Sequence, residues 1–278
     1  MSKLIPNDTA LRIYIPQQVV AVKGETSLFD KMAHWLDSAE QWLENTFTSA
    51  PTLTRIAGYS DDHPLKRAAR SVVAHEALTN AIPSLDLVQT LNGFAVVSNA
   101  NLAPASKERV ERLIASHRSL RDSSIDLMMP LLAEASQWKG SAQCSFFAST
   151  LFQRIADIRI LSKEPTWEKF IELRPAILAA ESRLASEYIS HELMQSLRDM
   201  ALGLKPNDAI RARLKATLQS HVADLVCDRP LRDSNLRDIV DYIRRHADDF
   251  PEWHRSDVAR LFDPPVFENK KKASGYFF

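Results

Sequence analysis

The spacing of apolar residues restricts the fold of this chain more than any other feature of its sequence. Over most of the 278 residues, apolar side chains recur every three or four positions, which is the period of an amphipathic α-helix. In the clearest segment, charged residues lie opposite an apolar row that consists of Leu236, Ile239, Val240, Ile243 and Phe250. All six glycines fall between such segments, where they do not weaken a helix. The sequence therefore predicts a mainly α protein, built as a multi-helix bundle.

Capping residues and prolines predict where the helices begin and end. Ser27, Ser106 and Asp208 each precede a periodic run and can cap a helix. Proline lacks a backbone donor, so a helix is expected to end before Pro83 and to be kinked or broken near Pro130. The predicted helices cover 27–46, 64–81, 106–138 with a kink or break near Pro130, 143–161, 166–204 as one helix or two in tandem, 208–226, 236–250 and 253–262. The helix after Ser106 is predicted to bury Val110, Leu113, Ile114, His117 and Leu120.

One short region departs from the helical pattern. Two β-prone runs, Leu85–Thr90 and Phe94–Ser98, lie on either side of Asn92-Gly93, and this dipeptide favours a two-residue hairpin turn. We therefore predict a small inserted β-hairpin near 85–98. The chain shows no internal repeat, and we expect one helical domain over 1–262 with a candidate sub-domain boundary near 83–104, followed by an extended carboxyl-terminal arm over 263–278.

Charge and cysteine content exclude several classes of protein. Lys+Arg and Asp+Glu both number 35, so the formal net charge is zero. Nucleic-acid binding depends on an excess of Lys and Arg that neutralises phosphates, so the balance argues against a sequence-specific nucleic-acid binder. The two cysteines, Cys144 and Cys227, indicate a reducing compartment without a disulfide framework. With no signal-peptide pattern and no apolar run near the roughly 20 residues that cross a bilayer, we expect a cytoplasmic chain without a membrane partner.

No catalytic, cofactor-binding or metal-binding motif is recognisable. Two His-Glu pairs, His75-Glu76 and His191-Glu192, begin the zinc-protease pattern, but neither is followed by the second histidine that the metal needs. Cys144 matches no cysteine-protease signature, and we interpret it as a small buried residue. A glycine-rich phosphate loop and a Gly-x-Ser-x-Gly elbow are also missing from the sequence. We therefore predict a protein that is not an enzyme; the alternative is a metal-dependent enzyme whose site is assembled from distant residues, such as the two His-Glu pairs.

The carboxyl-terminal arm is the predicted contact region. Pro264-Pro265 forces an extended path, and three lysines at 270–272 precede a run of aromatic residues. Exposed aromatic clusters tend to mark contact sites. The candidate partner-binding residues are Phe262, Phe267, Tyr276, Phe277 and Phe278. Two alternatives remain, packing of the arm on its own domain and packing on a neighbouring subunit.

Three segments carry a resemblance to a known family. In Ile82–Asn99, Leu-Asp-Leu is followed by Asn-Gly-Phe, and Pro104–Ile114 begins Pro-Ala-Ser-Lys-Glu-Arg-Val. The third segment is the lysine-rich and aromatic ending, Glu268–Phe278. In these features the chain resembles an uncharacterised family of virion structural proteins from tailed phages and prophages of Bacteroidetes.

This resemblance implies a head–tail connector or tail-adaptor protein. Such a component forms a ring with copies of itself and contacts other virion proteins, for example portal or tail components. Cyclic assemblies of this kind are joined by head-to-tail contacts. The implied location is the virion, with the host cytoplasm as the place of assembly. The alternative within the same setting is an assembly chaperone that binds virion components and leaves the finished particle.

Overall fold

The computed structural model describes residues 2–16, 26–85, 87–90, 93–96, 106–230 and 233–262. The protein is mainly α-helical, which confirms the predicted fold class at that level. The chain divides into two compact units, one formed by Met1–Pro175 with Arg198–Asn207 and the other by Ala176–Leu197 with Asp208–Phe278. In the region 83–104, where the sequence suggested a boundary, the described residues 83–85, 87–90 and 93–96 belong to the first unit. None of the described helices is long and apolar enough to span a membrane.

The helices of the first unit share a core in which α4 packs against both α2 and α5. They are α1 (Asp8–Arg12), α2 (Leu28–Leu43), α3 (Ala50–Ala57), α4 (Pro64–Leu85), α5 (Lys107–Glu134), α6 (Ser136–Lys139) and α7 (Ala142–Phe147). A π-helical turn at Glu44–Thr48 and a 3-10 helix at Ile155–Ile160 also belong to this unit. Met32 of α2, Val73 of α4 and Met128 of α5 are fully buried in the core.

The division between the units falls within α8 (Trp167–Leu184), after Pro175. The later elements are α9 (His191–Ala201), α10 (Ala209–Val226), α11 (Asp233–Arg245), α12 (Pro251–His254) and α13 (Asp257–Phe262), with a π-helical turn at Ala185–Ile189 and a 3-10 turn at Ala247–Asp249. The apolar row that was predicted around α11 is buried in full. The sequence pattern therefore predicted the inward face of this helix correctly.

Two short strands lie between α4 and α5. They are β1 (Leu87–Thr90) and β2 (Gly93–Val96), which pair antiparallel with Leu87 opposite Val96 and Thr90 opposite Gly93. Leu91 and Asn92 lie outside the described residues.

The predicted helix end before Pro83 is wrong, and of the kink or break predicted near Pro130 the break is wrong. Pro83 lies in the last turn of α4, which continues to Leu85, and Pro130 lies within α5. On either side of Pro130, Met129 and Ala133 are buried. Continuing the helix keeps both of them in the core, and this packing outweighs the one backbone hydrogen bond that proline removes.

The predicted helix over 143–161 is also wrong. α7 ends at Phe147, and a separate 3-10 helix starts at Ile155. Asp126 of α5 accepts the amides of Ile155 and Ala156 at 2.6 and 2.9 Å. This long-range carboxylate cap begins the second element, and sequence periodicity cannot detect it.

Two of the three predicted N-cap residues make the expected hydrogen bond. Ser27 accepts the amide of Asp30 at 3.0 Å, and Asp208 accepts the amide of Ile210 at 2.8 Å. Ser106 precedes α5 but makes no side-chain capping bond.

The same series of local features occurs twice in the chain, although no internal repeat is visible in the sequence. We call each occurrence a copy of the repeat. A long helix, α2 or α8, ends in a π-helical turn, and a serine with positive φ follows it. The φ angles are 73° at Ser49 and 74° at Ser190. The serine amide donates to the carbonyl of Glu44 at 2.8 Å in the first copy and to that of Ala185 at 2.9 Å in the second. A further helix, α3 or α9, begins at the next residue.

A tryptophan then fixes the π-helical turn of each copy. The indole Nε1 of Trp138 donates to the carbonyl of Phe47 at 2.5 Å, and that of Trp253 donates to the carbonyl of Tyr188 at 2.7 Å. Both indole rings are fully buried, so each polar N–H has the partner that burial requires.

A serine three residues after the tryptophan starts the last helix of each copy. The hydroxyls of Ser141 and Ser256 donate to the tryptophan carbonyl and accept a backbone amide of α7 or α13. These helices end at Phe147 and Phe262. The ring centroid of Phe147 lies 5.8 Å from that of Phe47, and the ring centroid of Phe262 lies 6.1 Å from that of Tyr188. Among the described residues, β1 and β2 belong to the first copy alone. Such an insertion makes the two copies differ in length, so the sequence has no constant period.

Candidate functional site

Three leucines on α5 form an exposed apolar row, which we call the leucine row. Leu113, Leu120 and Leu127 follow one another at seven-residue intervals, and their exposed fractions are 37%, 47% and 67%. Seven residues make nearly two helical turns, so the three side chains lie along one side of the helix over about 21 Å. The prediction that Leu113 and Leu120 face the core is wrong, whereas His117 of the same predicted set is buried.

The leucine row faces outward because the buried face of α5 contains polar residues. His117, Arg121 and Asp122 are buried beside Ile125 and Met128. A polar side chain can be buried at little cost when its hydrogen bonds are made inside the protein. The partners of these three residues come from elements far away in the sequence, and the leucines are left on the outside.

Arg121 is the centre of a buried charge cluster and has only 3% of its surface exposed. Its guanidinium donates to Glu76 of α4, to Asp122 and to Glu168 of α8, each at 2.8 Å. The ring centroid of Trp42 lies 5.7 Å from the guanidinium carbon. The cluster therefore joins α4, α5 and the first turn of α8 within the first unit.

Burial and ion pairing act in opposite directions on the acids of this cluster. Burial raises the pKa of Asp122 above its ordinary value, although the positive charge of Arg121 opposes the change. Burial also acts to raise the pKa of Glu168, but the hydrogen bond and charge of Arg121 outweigh it and leave that pKa lowered. Since every charge in the cluster has a partner, its evident role is to hold the helices together.

A histidine pair makes a second polar contact between α4 and α5. His75 and His117 are each 5% exposed, and their Nδ1 atoms lie 3.0 Å apart. One ring must donate from Nδ1 and the other accept there, so two neutral rings in this contact hold different tautomers. Burial, followed by the neighbouring His117, lowers the pKa of His75 to about 4, and burial lowers the pKa of His117 as well.

The two His-Glu pairs of the sequence lie in different units. His75 is bonded to His117, whereas His191 and Glu192 are exposed in the first turn of α9. Glu76 belongs to the charge cluster already described. In the part of the chain that the structure describes, no three side chains of His, Cys, Asp or Glu are placed to hold a metal ion.

Cys144 is buried at the start of α7, as the sequence analysis expected. Burial raises the pKa of its thiol, and the negative charge of Asp199 adds to the effect. The thiol is therefore a poor nucleophile at neutral pH. Cys227 is only partly buried.

An open groove with a volume of about 870 Å³ lies beside α5, on a different side from the leucine row. Its charged lining residues are Glu111, Arg118, Asp122, Asp126, Arg159, Lys163 and Glu164. Asp122 and Asp126 are already bound to backbone amides of the first unit. The remaining charges have both signs, so the groove does not favour a ligand of either charge.

Phe262 is the one candidate partner-binding residue that falls within the described part of the chain. Its ring lies 6.1 Å from that of Tyr188 and 6.3 Å from that of Trp253, and its carbonyl accepts a hydrogen bond from Arg244 at 2.6 Å. It takes the place in the second copy of the repeat that Phe147 takes in the first. Phe262 therefore packs within its own unit. The other four candidates, together with the predicted arm, lie outside the described residues: Phe267, Tyr276, Phe277 and Phe278.

Comparison with known protein families shows to which family the chain belongs. A model described as "Family of unknown function (DUF6712)" matches residues 18–148 and 229–262, which is more than half of the sequence. The chain belongs to this family. No curated protein matches it, and no solved structure does.

In this DUF6712 protein the first matched segment covers the whole first copy of the repeat, and the second covers only the last part of the second copy. The first ends one residue after Phe147 and the second ends at Phe262, so both finish at the last helix of a copy. The first segment also contains the whole leucine row, and each segment contains one of the buried tryptophans, Trp138 or Trp253.

Proposed function

We propose that this DUF6712 protein is a structural component of a phage virion, a head–tail connector or tail-adaptor protein that forms a ring with copies of itself. The leucine row carries the proposal. Three large apolar side chains lie on one side of a 28-residue helix, and a chain that works alone gains nothing from exposing them in line.

The energetics of the leucine row suit a protein contact. Burying a fully exposed leucine stabilises by about 1.5–3 kcal/mol. Because Leu113, Leu120 and Leu127 are 37%, 47% and 67% exposed, each of them offers about half of that to an interface. A stable interface covers roughly 800 Å² on each partner, which is more than one helix face supplies. The leucine row is therefore the centre of a larger contact.

The predicted β-hairpin and carboxyl-terminal arm enlarge the proposed contact. In a ring, one surface of each subunit meets a different surface of the next subunit. We propose that the β-hairpin near 85–98 and the extended arm over 263–278 cover the neighbouring subunit, or the portal and tail proteins, around this centre. The aromatic residues of the arm are the partner-binding residues of this proposal.

A single charged substitution tests the role of the leucine row. In Leu120→Glu, a carboxylate replaces the central leucine, and self-association is expected to weaken about ten- to hundredfold because apolar burial is lost and a charge is buried in the contact. Ser119→Glu is the matched control, since it adds the same charge at an exposed neighbouring position on another side of α5. Light scattering measures the association, negative-stain images show rings, and circular dichroism confirms that both variants keep their helix content.

Two results would contradict the proposal. One is a wild-type protein that stays monomeric at every concentration and does not associate with portal or tail proteins. The other is a Leu120→Glu variant that assembles as well as Ser119→Glu.

A further inference from the structure

Large and small side chains alternate along the exposed face of α5. Each leucine of the leucine row is followed three residues later by a residue with a smaller side chain. These smaller residues are Ser116, Ser123 and Pro130. Alternating steps of three and four residues form the contact line of a two-helix coiled coil. All six residues are exposed, so a partner can reach them without any rearrangement of the protein.

Opposite charges lie at the two ends of this face. Arg109 is four residues before Leu113, and Glu134 is four residues after Pro130, so both continue the same spacing. Both side chains are exposed. We call the whole line from Arg109 to Glu134 the α5 seam. At 1.5 Å per residue it is about 38 Å long, with its positive charge near the amino end and its negative charge near the carboxyl end.

A second copy of α5 fits this seam when it runs in the opposite direction. If the centre of the pair lies between Leu120 and Ser123, each leucine of one copy lies opposite a smaller residue of the other. Leu120 is then opposite Ser123, Leu127 opposite Ser116, and Leu113 opposite Pro130. In a coiled coil each large side chain enters a space on the facing helix, and small facing residues leave room for it.

The charges select the same direction and the same register. In the antiparallel pair, Arg109 of each copy lies opposite Glu134 of the other, so an ion pair forms at both ends. In a parallel pair, Arg109 would lie opposite Arg109 and Glu134 opposite Glu134. The leucines would also face one another and leave the serines in layers of their own. Size and charge therefore both favour the antiparallel arrangement.

A serine in such a contact has to keep its hydrogen bond when water is excluded. The hydroxyl of Ser123 donates to the carbonyl of Ser119 at 2.9 Å, within α5 itself. Covering Ser123 with a leucine of the partner therefore leaves its donor satisfied and costs little free energy.

We propose that the α5 seam binds the α5 seam of a second copy of this chain in an antiparallel, two-fold symmetric pair. This inference rests on the proposed self-association through the leucine row and specifies the surface that the row meets. A contact between two identical surfaces joins copies in pairs and leaves no leucine row free. The proposed ring then needs a second contact to close, for which the carboxyl-terminal arm is the candidate.

Reversing the end charges tests the pair. Arg109→Glu and Glu134→Arg each place like charges opposite one another at both ends, and each variant alone is expected to associate about five- to thirtyfold more weakly than the wild type. In a mixed pair every reversed charge meets an opposite charge, so mixing the two variants is expected to restore association. Lys107→Glu is the matched control, since it makes the same change of charge at an exposed position on the other side of α5. Sedimentation velocity over a concentration series measures the association of each protein and of the mixture.

Cysteine cross-linking tests the direction of the helices. Under mild oxidation, a mixture of Leu120→Cys and Ser123→Cys is expected to form a cross-linked pair, because these positions face each other, whereas each variant alone forms little more than the wild type. The wild type shows the background from Cys144 and Cys227.

Three results would overturn the pairing. They are a mixture of charge variants that associates no better than either variant alone, a loss in Lys107→Glu as large as that in Arg109→Glu, and cross-linking of one cysteine variant with itself in place of the mixed pair. Wild-type rings that persist beside any of these results leave the proposed function standing, whereas a wild type that is monomeric at every concentration overturns both proposals.

Discussion

We predict that the buried histidine pair, His75 and His117, makes the folded protein less stable in mild acid. His75 and His117 are neutral in the folded protein, and in the unfolded chain His75 takes up a proton near its ordinary pKa of 6.5. Its folded pKa is lowered to about 4, so the unfolded state binds more protons between these two values. The stability that His75 contributes is therefore complete above pH 6.5 and is lost as the pH falls towards 4.

The size of the effect follows from the pKa difference. Lowering the pKa from 6.5 to about 4 corresponds to about 3 kcal/mol of unfolding free energy once the pH is below both values. Between pH 7 and pH 5 the expected loss is about 2 kcal/mol. The lowered pKa of His117 acts in the same direction. The raised pKa of Asp122 acts in the opposite direction, because its folded state binds a proton more readily than its unfolded state.

A double variant isolates the contribution of the pair from that of the carboxylates. His75→Leu with His117→Leu replaces the hydrogen-bonded rings by apolar side chains of similar size, which is expected to change stability little at pH 7. Urea unfolding at pH 7, 6 and 5, at constant ionic strength, then gives the free energy of unfolding for both proteins. The wild type is expected to lose about 2 kcal/mol more than the double variant over this range.

An exposed histidine supplies the control. His34→Gln changes a residue on the solvent side of α2, and its stability is expected to follow that of the wild type at each pH. If the double variant loses as much stability between pH 7 and pH 5 as the wild type, the pair is not the source of the acid sensitivity and the reasoning fails.

Two further predictions concern the charge cluster and the backbone. Arg121→Met leaves Glu76 and Asp122 without their buried counter-charge and is expected to cost about 3–5 kcal/mol in urea unfolding, whereas Arg112→Met on the exposed surface of α5 costs less than about 1 kcal/mol. Equal losses in the two variants would show that burial does not strengthen the cluster. Gly203 has φ +79°, so Gly203→Ala is expected to cost about 1 kcal/mol through backbone strain, although the nearest atom to the new methyl group is 3.6 Å away. Gly140→Ala, whose backbone has φ −97° and whose methyl group meets nothing within 4 Å, is expected to be close to neutral, and the same loss in both would contradict the strain argument.

The sequence determined those helices whose apolar face coincides with the core. α2 and α11 follow their periodic rows, and Ser27 and Asp208 cap helices at the positions that local hydrogen bonding favours. Such features depend on neighbours within one or two helical turns. The same local logic failed at Pro130, where the packing of distant residues outweighs a missing hydrogen bond.

The repeat was hidden from the sequence for a physical reason. Its two copies are related by hydrogen bonds to backbone carbonyls, such as those that Trp138 and Trp253 donate, and a carbonyl group does not depend on the identity of its residue. Few identical side chains are therefore required. The unequal lengths of the two copies removed the constant period that would have shown the duplication.

The candidate site depended on tertiary structure even more strongly. The seven-residue spacing of Leu113, Leu120 and Leu127 was visible in the sequence, but an apolar row normally points to the core. Its exposure was decided by Arg121 and His117, which are buried because partners from α4 and α8 complete their hydrogen bonds. Amino-acid order thus fixed which segments are helical, whereas the pairing of buried polar groups across distant segments decided which side of α5 faces outward.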